Sequence, residues 1–141
     1  MPSTLSFHVT HNYADLTVNG ITVPIQLSVG ARNARLHAKL DTGAEFCIFG
    51  REHGEALGLN IEAGDLRTFS TVTGNFTAYG HEVTIACFEW QFNALVYFPP
   101  TPDFPRNVLG RNGWIQNFRL AIIDYDRLLH LSHYNQSRVI G

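Results

Sequence analysis

The most informative stretch of this chain is Ala38-Lys39-Leu40-Asp41-Thr42-Gly43-Ala44-Glu45-Phe46-Cys47. An alternating strand ends at Leu40, the chain turns at Asp-Thr-Gly, and apolar residues resume at Ile48 and Phe49. A strand that leads into an acid and a glycine is well suited to present a carboxylate to a cleft, because glycine lets other backbone approach closely. Asp41 is therefore the first candidate for a catalytic residue.

Three strands are predicted before Asp41. Residues 16–18 and 21–23 flank Asn-Gly, which accepts the positive φ angles of a type I′ turn, and this pattern indicates a hairpin. Period-2 alternation then predicts two half-buried strands, while Pro24 indicates an edge or a bend. The apolar positions of these strands are Ile25, Leu27 and Val29, followed by Ala34, Leu36, Ala38 and Leu40.

After this stretch, the patterns predict a short helix and a long meander of strands. Residues 51–57 are a helix candidate, and Gly58 lies where a helix C′ glycine belongs. Residues 66–98 are predicted to form strands with a turn near 73–75. Four of the six prolines fall in 98–105, which predicts a stiff loop.

The C-terminal part is predicted to contain a second short helix that ends near Phe118, and then two strands over 120–123 and 128–131. The turn between these strands contains Asp124 and Asp126. Together the patterns predict an all-β domain with one or two short helices.

Length and composition indicate one globular domain. The chain has 141 residues, enough for a substantial core, with 45% hydrophobic and 16% charged residues. We expect an arm of unknown order over residues 1–12, a domain over 13–133 and a tail over 134–141. The net charge of -2 gives no electrostatic reason to expect a nucleic acid or an anionic membrane as a partner.

The two cysteines, Cys47 and Cys87, are too few for a disulfide framework, and whether their side chains meet stays open. The N-terminal residues contain no apolar run preceded by positive charge, so we expect no signal peptide. These observations favour a reducing, cytoplasmic location.

Two motifs of the chain, taken in sequence order, resemble those of the retropepsin-like aspartic proteases. This family occurs in retroviruses, retrotransposons and bacteria. The first motif is Leu40-Asp41-Thr42-Gly43-Ala44, which resembles the catalytic loop. The second motif is Val108-Leu109-Gly110-Arg111-Asn112, which resembles the apolar pair and glycine that cradle this loop. Either motif alone is a weak signal, but the two at this spacing are specific.

The resemblance extends over residues 21–131 and implies a single-domain acid-protease barrel that works as a homodimer on a polypeptide substrate. In this class of endopeptidase, two carboxylates about 3 Å apart share one proton across a water molecule. Since the chain has one Asp-Thr-Gly, a second copy would supply the second Asp41. No metal ion or organic cofactor is implied.

The resemblance also implies roles for individual residues. Thr42 would form hydrogen bonds across the dimer axis, and Arg111 would form an ion pair with Glu45. The catalytic residues would be Asp41, Thr42 and Gly43, and the supporting residues Gly110 and Arg111. The substrate-binding residues would be Ala44, Glu45 and Phe46, together with a flap tip of Val72, Thr73, Gly74 and Asn75.

Other interpretations stay open. A protein with this fold that has lost efficient catalysis would be a peptide-binding or dimerisation module, and excision from a longer precursor is a further possibility. Asp124 and Asp126 form a rival carboxylate pair, although Asp-x-Asp between strands is more typical of a turn whose side chains cap backbone N–H groups. The histidine pairs at 8/11 and 130/133 lack a converging third ligand, so no metal site is predicted.

Overall fold

The structure is a computed structural model that describes residues 2–15, 19–103 and 106–136. Within these ranges the chain forms nine strands, one α helix and three 3₁₀ turns. The strands are β1 (Val9–Asn12), β2 (Thr22–Val29), β3 (Arg32–Leu40), β4 (Asp65–Thr71), β5 (Gly74–Cys87), β6 (Trp90–Phe98), β7 (Val108–Leu109), β8 (Phe118–Ile123) and β9 (Leu128–His133). The helix α1 is Arg51–Ala56, and the 3₁₀ turns are Ile61–Ala63, Ile115–Asn117 and Asp124–Asp126.

The larger sheet brings the two sequence motifs side by side. Its strand order is β4-β5-β2-β3-β7, and β6 pairs with β5. Its neighbouring strands are antiparallel except for β3 and β7. In that parallel pair Leu40 lies opposite Leu109, so the chain leaves the two strands side by side at Asp41 and Gly110.

The alternation predicted for β2 and β3 is confirmed. The apolar residues at even positions of β3 are buried, and Arg35 and His37 between them are exposed. Pro24 lies in a part of β2 that pairs with β3 alone, because β5 pairs with β2 only at residues 26–28. Such an edge position tolerates the missing N–H of proline, as the sequence predicted.

The first predicted helix and the predicted meander are both present. After α1 the chain continues to Gly58, which has φ +76°, the left-handed conformation expected of a C′ glycine. The meander consists of β4, β5 and β6, with its first turn at residues 72–73. Residues 16–18 of the predicted hairpin and 104–105 of the proline-rich loop lie outside the described residues.

A smaller sheet has the order β1-β9-β8. β1 pairs with β9, so residues 9–12, for which we predicted no element, form a strand. The two predicted C-terminal strands are present as β8 and β9, each two residues longer at one end. The second predicted helix is reduced to the 3₁₀ turn Ile115–Asn117, because Phe118 is already extended and buried.

The turn between β8 and β9 contains the acidic residues that formed a rival candidate site. It is a 3₁₀ turn over Asp124–Asp126, followed by Arg127 in the left-handed conformation at φ +57°. The predicted turn is confirmed, but the Asp124 carboxylate binds a side chain rather than capping a backbone N–H. Its Oδ1 accepts a hydrogen bond of 2.6 Å from the Tyr13 hydroxyl, because β1 brings Tyr13 beside the turn.

The core is one large apolar cluster that joins both sheets, with Trp114 fully buried within it. A smaller cluster lies beside it, and Phe46, two residues after the first motif, packs against this smaller cluster. Its members are the buried Ile48, Ala78 and Tyr97 and the partly buried Phe46, Phe69 and Phe76. The architecture is therefore a single all-β domain. Among the described residues, no helix has the length and apolar character needed to cross a membrane.

Candidate active site

Asp41 begins a tight turn, residues 41–46, that we call the Asp41 loop. The Asp41 N–H donates to the Leu109 carbonyl at 3.1 Å, which continues the pairing of β3 with β7. The Ala44 N–H donates to the Asp41 carbonyl at 3.1 Å, and the Gly43 N–H donates to Asp41 Oδ1 at 2.9 Å. The half-buried carboxylate is thus oriented by the backbone of its own loop.

Residues 108–112, the Gly110 motif, hold the Asp41 loop by backbone hydrogen bonds. The Arg111 N–H donates to the Ala44 carbonyl at 2.9 Å, and the Asn112 N–H donates to the Glu45 carbonyl at 2.7 Å. These bonds join residues more than sixty positions apart in the sequence. They leave the loop little freedom to move relative to the Gly110 motif.

Gly110 lies so close to the Asp41 loop that no side chain fits. A Cβ at this position would lie 2.2 Å from the Phe46 carbonyl oxygen and 2.9 Å from that of Ala44. Its N–H points to the sulfur of the buried Cys47 at 3.3 Å. The glycine is therefore required for close approach of backbone to backbone rather than for a special φ angle.

Cys47 is a structural residue beneath the Asp41 loop. Its side chain is fully buried, and burial raises the pKa of the thiol to about 12. The neutral thiol lies 3.6 Å from the Asn112 carbonyl oxygen, which places it between the loop and the Gly110 motif. Cys87 is also buried, with a pKa raised to about 11 by desolvation, and both cysteines are free. Neither thiol is prepared to act as a nucleophile.

The predicted ion pair between Arg111 and Glu45 is wrong. Both side chains are exposed, and within the described part of the chain no ion pair joins them. The two residues are connected through the Ala44 and Glu45 carbonyls instead. The main chain supplies the bracing here, and an exposed ion pair would add less than about 1 kcal/mol.

Asp41 faces a cleft of about 560 Å³, which we call the Asp41 cleft. One wall is the Asp41 loop, and the opposite wall is the hairpin formed by β4 and β5. The loop side of the lining consists of Asp41, Gly43, Ala44, Glu45, Phe46, Ile48, Arg106 and Val108. The hairpin side consists of Arg67, Thr68, Phe69, Ser70, Thr71 and Phe76.

The structure brings only part of the predicted substrate-binding set together. Ala44, Glu45 and Phe46 line the Asp41 cleft, whereas the predicted flap tip over residues 72–75 is exposed and lies outside the lining. Thr42, predicted to be a catalytic residue, is exposed and is also absent from the lining. In the single chain, the strands of the hairpin line the cleft and its tip does not.

Sequence reasoning missed the hairpin residues that do line the cleft. Arg67, Phe69 and Thr71 alternate along β4, and this period-2 signal was available in the sequence. Thr68 and Ser70 between them line the cleft as well, which the alternation does not predict. Phe69 lies opposite Phe76 in the register of β4 and β5, and their rings stack at 5.0 Å. The position of β4 against the Asp41 loop, however, depends on the pairing of β5 with β2.

Comparison with known proteins identifies this architecture. No protein-family model matches the chain, and no curated protein matches it significantly. The solved EIAV protease, in complex with the inhibitor HBY-793, is 22% identical, with a TM-score of 0.50 over 64% of this chain and 80% of that chain. A retropepsin-like aspartic protease from Rickettsia conorii is 19% identical, with a TM-score of 0.62 over 88% of this chain and 97% of that chain. The chain has the retropepsin-like fold.

Within this retropepsin-like fold, the other groups considered from sequence lie away from the Asp41 cleft. Asp124 is bound to Tyr13 at the end of the smaller sheet. No group of three or more metal-ligating side chains occurs in the described ranges. Another cleft, of about 440 Å³ and lined by residues such as Pro24, Leu36 and Phe88, contains no carboxylate among its lining residues. The Asp41 cleft is the candidate site because its carboxylate lies between two sequence motifs that bind each other through the backbone.

Proposed function

We propose that this protein is an aspartic endopeptidase that works as a homodimer, with one Asp41 from each chain. The observation that carries the proposal is the Asp41 loop itself. Its carboxylate is half-buried at a cleft, oriented by the Gly43 N–H, and held in place by the Gly110 motif. The retropepsin-like fold of the chain supports the same conclusion.

The proposed chemistry uses two carboxylates in different protonation states. The ionised Asp41 takes a proton from a water molecule, whose oxygen attacks the carbonyl carbon of the peptide bond. The protonated Asp41 of the second chain gives its proton to the carbonyl oxygen. Collapse of the tetrahedral intermediate breaks the C–N bond, and the leaving nitrogen receives a proton from the pair. Neither step calls for a metal or an organic cofactor.

The second chain is needed because one Asp41 loop supplies one such carboxylate. Glu45 also lines the cleft, but its side chain is exposed and its backbone carbonyl holds the Gly110 motif. Thr42 and Gly43 are exposed on the loop, where a second copy of the loop would meet them. We further propose a polypeptide substrate and a cytoplasmic location.

The test combines a catalytic variant with mixed dimers. Wild-type protein is incubated with a denatured protein substrate at several acidic pH values, with and without a pepstatin-type inhibitor. Asp41→Asn keeps the side-chain shape but removes the carboxylate, so cleavage should fall by about a thousandfold or more. The matched control is Asp65→Asn, which removes an exposed carboxylate of β4 that does not line the cleft and should leave activity unchanged.

Mixing wild-type and Asp41→Asn chains tests the shared site. After equilibration of equal amounts, a dimeric site leaves about one quarter of the activity of the same total amount of wild-type protein, because mixed dimers are inactive. If each chain contained a complete site, the mixture would keep about one half of that activity. Near wild-type cleavage by pure Asp41→Asn would exclude Asp41 as the catalytic acid.

A further inference from the structure

We propose that Arg67 binds a carboxylate side chain of the substrate, so that the protein prefers peptides with Glu or Asp at one position near the cleaved bond. This inference rests on the proposed endopeptidase function and adds a substrate class to it. It is carried by the position of Arg67, by the contacts that orient its guanidinium, and by the absence of a carboxylate partner in the described part of the chain.

Arg67 lies on the wall of the cleft that faces the Asp41 loop. It occupies β4 opposite Ala78 of β5 and alternates with Phe69 on the strand face that meets Phe46. Asp41 and Arg67 line the same cleft. A peptide bound beside Asp41 would therefore extend past this guanidinium.

Two aromatic residues hold the Arg67 guanidinium in one orientation. Its Nε donates a hydrogen bond of 3.0 Å to the hydroxyl of Tyr97, which is only 2% exposed. Its Cζ lies 4.5 Å from the centre of the Phe46 ring and 5.7 Å from that of Tyr97. Stacking and hydrogen bonding of this kind orient the planar group before a ligand arrives, which reduces the entropy lost on binding.

The charge of Arg67 has no carboxylate partner among the described residues. Its Nη1 and Nη2 form no hydrogen bond within those ranges, although Glu45 lines the same cleft. Arg51 shows the contrasting arrangement, since its guanidinium is bound by Glu55 and Glu62. The two terminal nitrogens of Arg67 thus present the fork that binds a carboxylate in bidentate geometry.

The surroundings of Arg67 favour a side chain that has both an apolar stem and an acidic end. Phe46 lies under the guanidinium, and the stacked rings of Phe69 and Phe76 continue the apolar wall. The methylene groups of Glu would contact these rings while its carboxylate met Arg67. A charged pair formed beside aromatic rings is less screened by water than one on an open surface.

The experiment uses pairs of peptides that differ only by Glu or Gln at one position within four residues of the cleaved bond. All peptides are acetylated and amidated, so that the side chain is the only variable carboxylate. For wild-type protein, kcat/KM should be about tenfold higher for the Glu peptide at the preferred position. In Arg67→Gln this ratio should fall close to one, and in Arg67→Glu the preference should move to a Lys peptide.

The matched control is Arg35→Gln. Arg35 is an exposed arginine whose Nε donates a hydrogen bond to the side chain of Gln26, just as the Arg67 Nε donates one to Tyr97. Unlike Arg67, it lies outside the Asp41 cleft. The Glu/Gln ratio of Arg35→Gln should equal that of wild-type protein. Because each variant is compared with itself on two peptides, a general loss of activity does not affect the ratio.

The outcomes separate this inference from the proposed function. An equal Glu/Gln ratio in wild-type protein and Arg67→Gln, with cleavage intact, would overturn the role of Arg67 and leave the protease unaffected. If no peptide is cleaved, fluorescence anisotropy with the same peptides decides the matter. Binding that favours the Glu peptide and depends on Arg67 would support the carboxylate subsite and reject proteolysis. Binding without a preference for Glu would reject that subsite.

Discussion

At the scale of single residues, the candidate site depends on positions at which only one type of residue fits. Gly110 is the strongest case, since a Cβ there would overlap the Phe46 carbonyl group of the Asp41 loop. Cys47 fills the space beneath the same loop and accepts the Gly110 N–H. The orientation of Asp41 is thus tied to residues that have no part in the chemistry.

We predict that Gly110→Ala destabilises the fold by roughly 1–3 kcal/mol, because the added methyl group must displace backbone. Urea unfolding followed by circular dichroism measures the change. The control is Gly30→Asn, at a turn where φ is +58° and no atom lies within 4 Å of a Cβ. Asn tolerates this conformation, so the control should change stability by less than about 1 kcal/mol. An unchanged midpoint for Gly110→Ala would contradict the close contact with Phe46.

A second prediction at this scale concerns the buried thiols. Because burial raises the pKa of Cys47 to about 12 and that of Cys87 to about 11, both thiols stay protonated at pH 8 in the folded protein. We expect iodoacetamide to modify neither thiol in the native state at pH 8, and to modify both in denaturant. Mass spectrometry of the two samples provides the measurement. Rapid labelling of native Cys47 would show that the Asp41 loop opens to solvent.

At the scale of elements, the hairpin of β4 and β5 determines which residues reach the cleft. β5 pairs with β4 along residues 74–80 and with β6 along 79–87, and it also contacts β2. These pairings place Arg67 and Phe69 in the lining of the Asp41 cleft, whereas residues 72–75 at the tip are not among its lining residues. In the single chain, the strands of the hairpin therefore line the Asp41 cleft.

The N-terminal strand gives a prediction at the same scale. Tyr13, just after β1, is tied to the turn before β9 by its hydroxyl, which donates to Asp124 at 2.6 Å. Loss of this hydrogen bond in Tyr13→Phe should lower the free energy of unfolding by about 1–2 kcal/mol at pH 8. Urea unfolding of both proteins at this pH tests the contact. Equal stability would show that the Tyr13–Asp124 bond contributes nothing.

The same pair of proteins also gives a pH dependence. Desolvation and the bond to Asp124 raise the pKa of Tyr13 to about 12 from an ordinary value of 10.0. The folded state therefore holds the phenol proton more tightly than the unfolded state, so this stabilisation is complete below pH 10 and declines as pH rises towards 12. The difference in stability between wild-type protein and Tyr13→Phe should shrink over this interval. Ionisation of the two buried thiols also lowers the stability of the fold as pH rises, but it does so equally in both proteins. A difference that stays constant to pH 12 would contradict the raised pKa.

At the scale of the whole molecule, the proposed chemistry requires two chains. The β8–β9 hairpin offers an apolar surface for such an assembly, because Ile122 and Ile123 are 44% and 45% exposed. Within the described residues β8 pairs with β9 alone, so its other edge presents unpaired backbone groups. We predict that this hairpin takes part in the dimer contact.

Sedimentation should show a species of twice the 15.8 kDa chain mass at concentrations where the protein is active. Ile122→Lys should raise the dimer dissociation constant about tenfold or more, and activity should return at higher protein concentration. The control is Leu95→Lys on β6, an apolar residue that is 40% exposed in the other sheet. A protein that is fully active as a 15.8 kDa species would contradict the shared site.

Local patterns in the sequence predicted the elements that neighbouring residues are able to specify. Alternation predicted β2 and β3, Gly58 predicted the end of α1, and the glycine of the turn after β4 predicted the hairpin. These features depend on φ preferences and on which side of a strand is apolar, and both are properties of short segments. The two motifs together also indicated the retropepsin-like fold, because each motif has a fixed residue order.

Contacts between distant segments were not predictable in the same way. The pairing of β1 with β9, the bond from Tyr13 to Asp124 and the stacking of Arg67 on Phe46 each join residues that no local pattern relates. The ion pair expected for Arg111 failed for the same reason, since its side chain points to solvent once the backbone of the Gly110 motif binds the Asp41 loop. Such contacts depend on the order and register of strands in the sheets, which arise only when the whole chain packs.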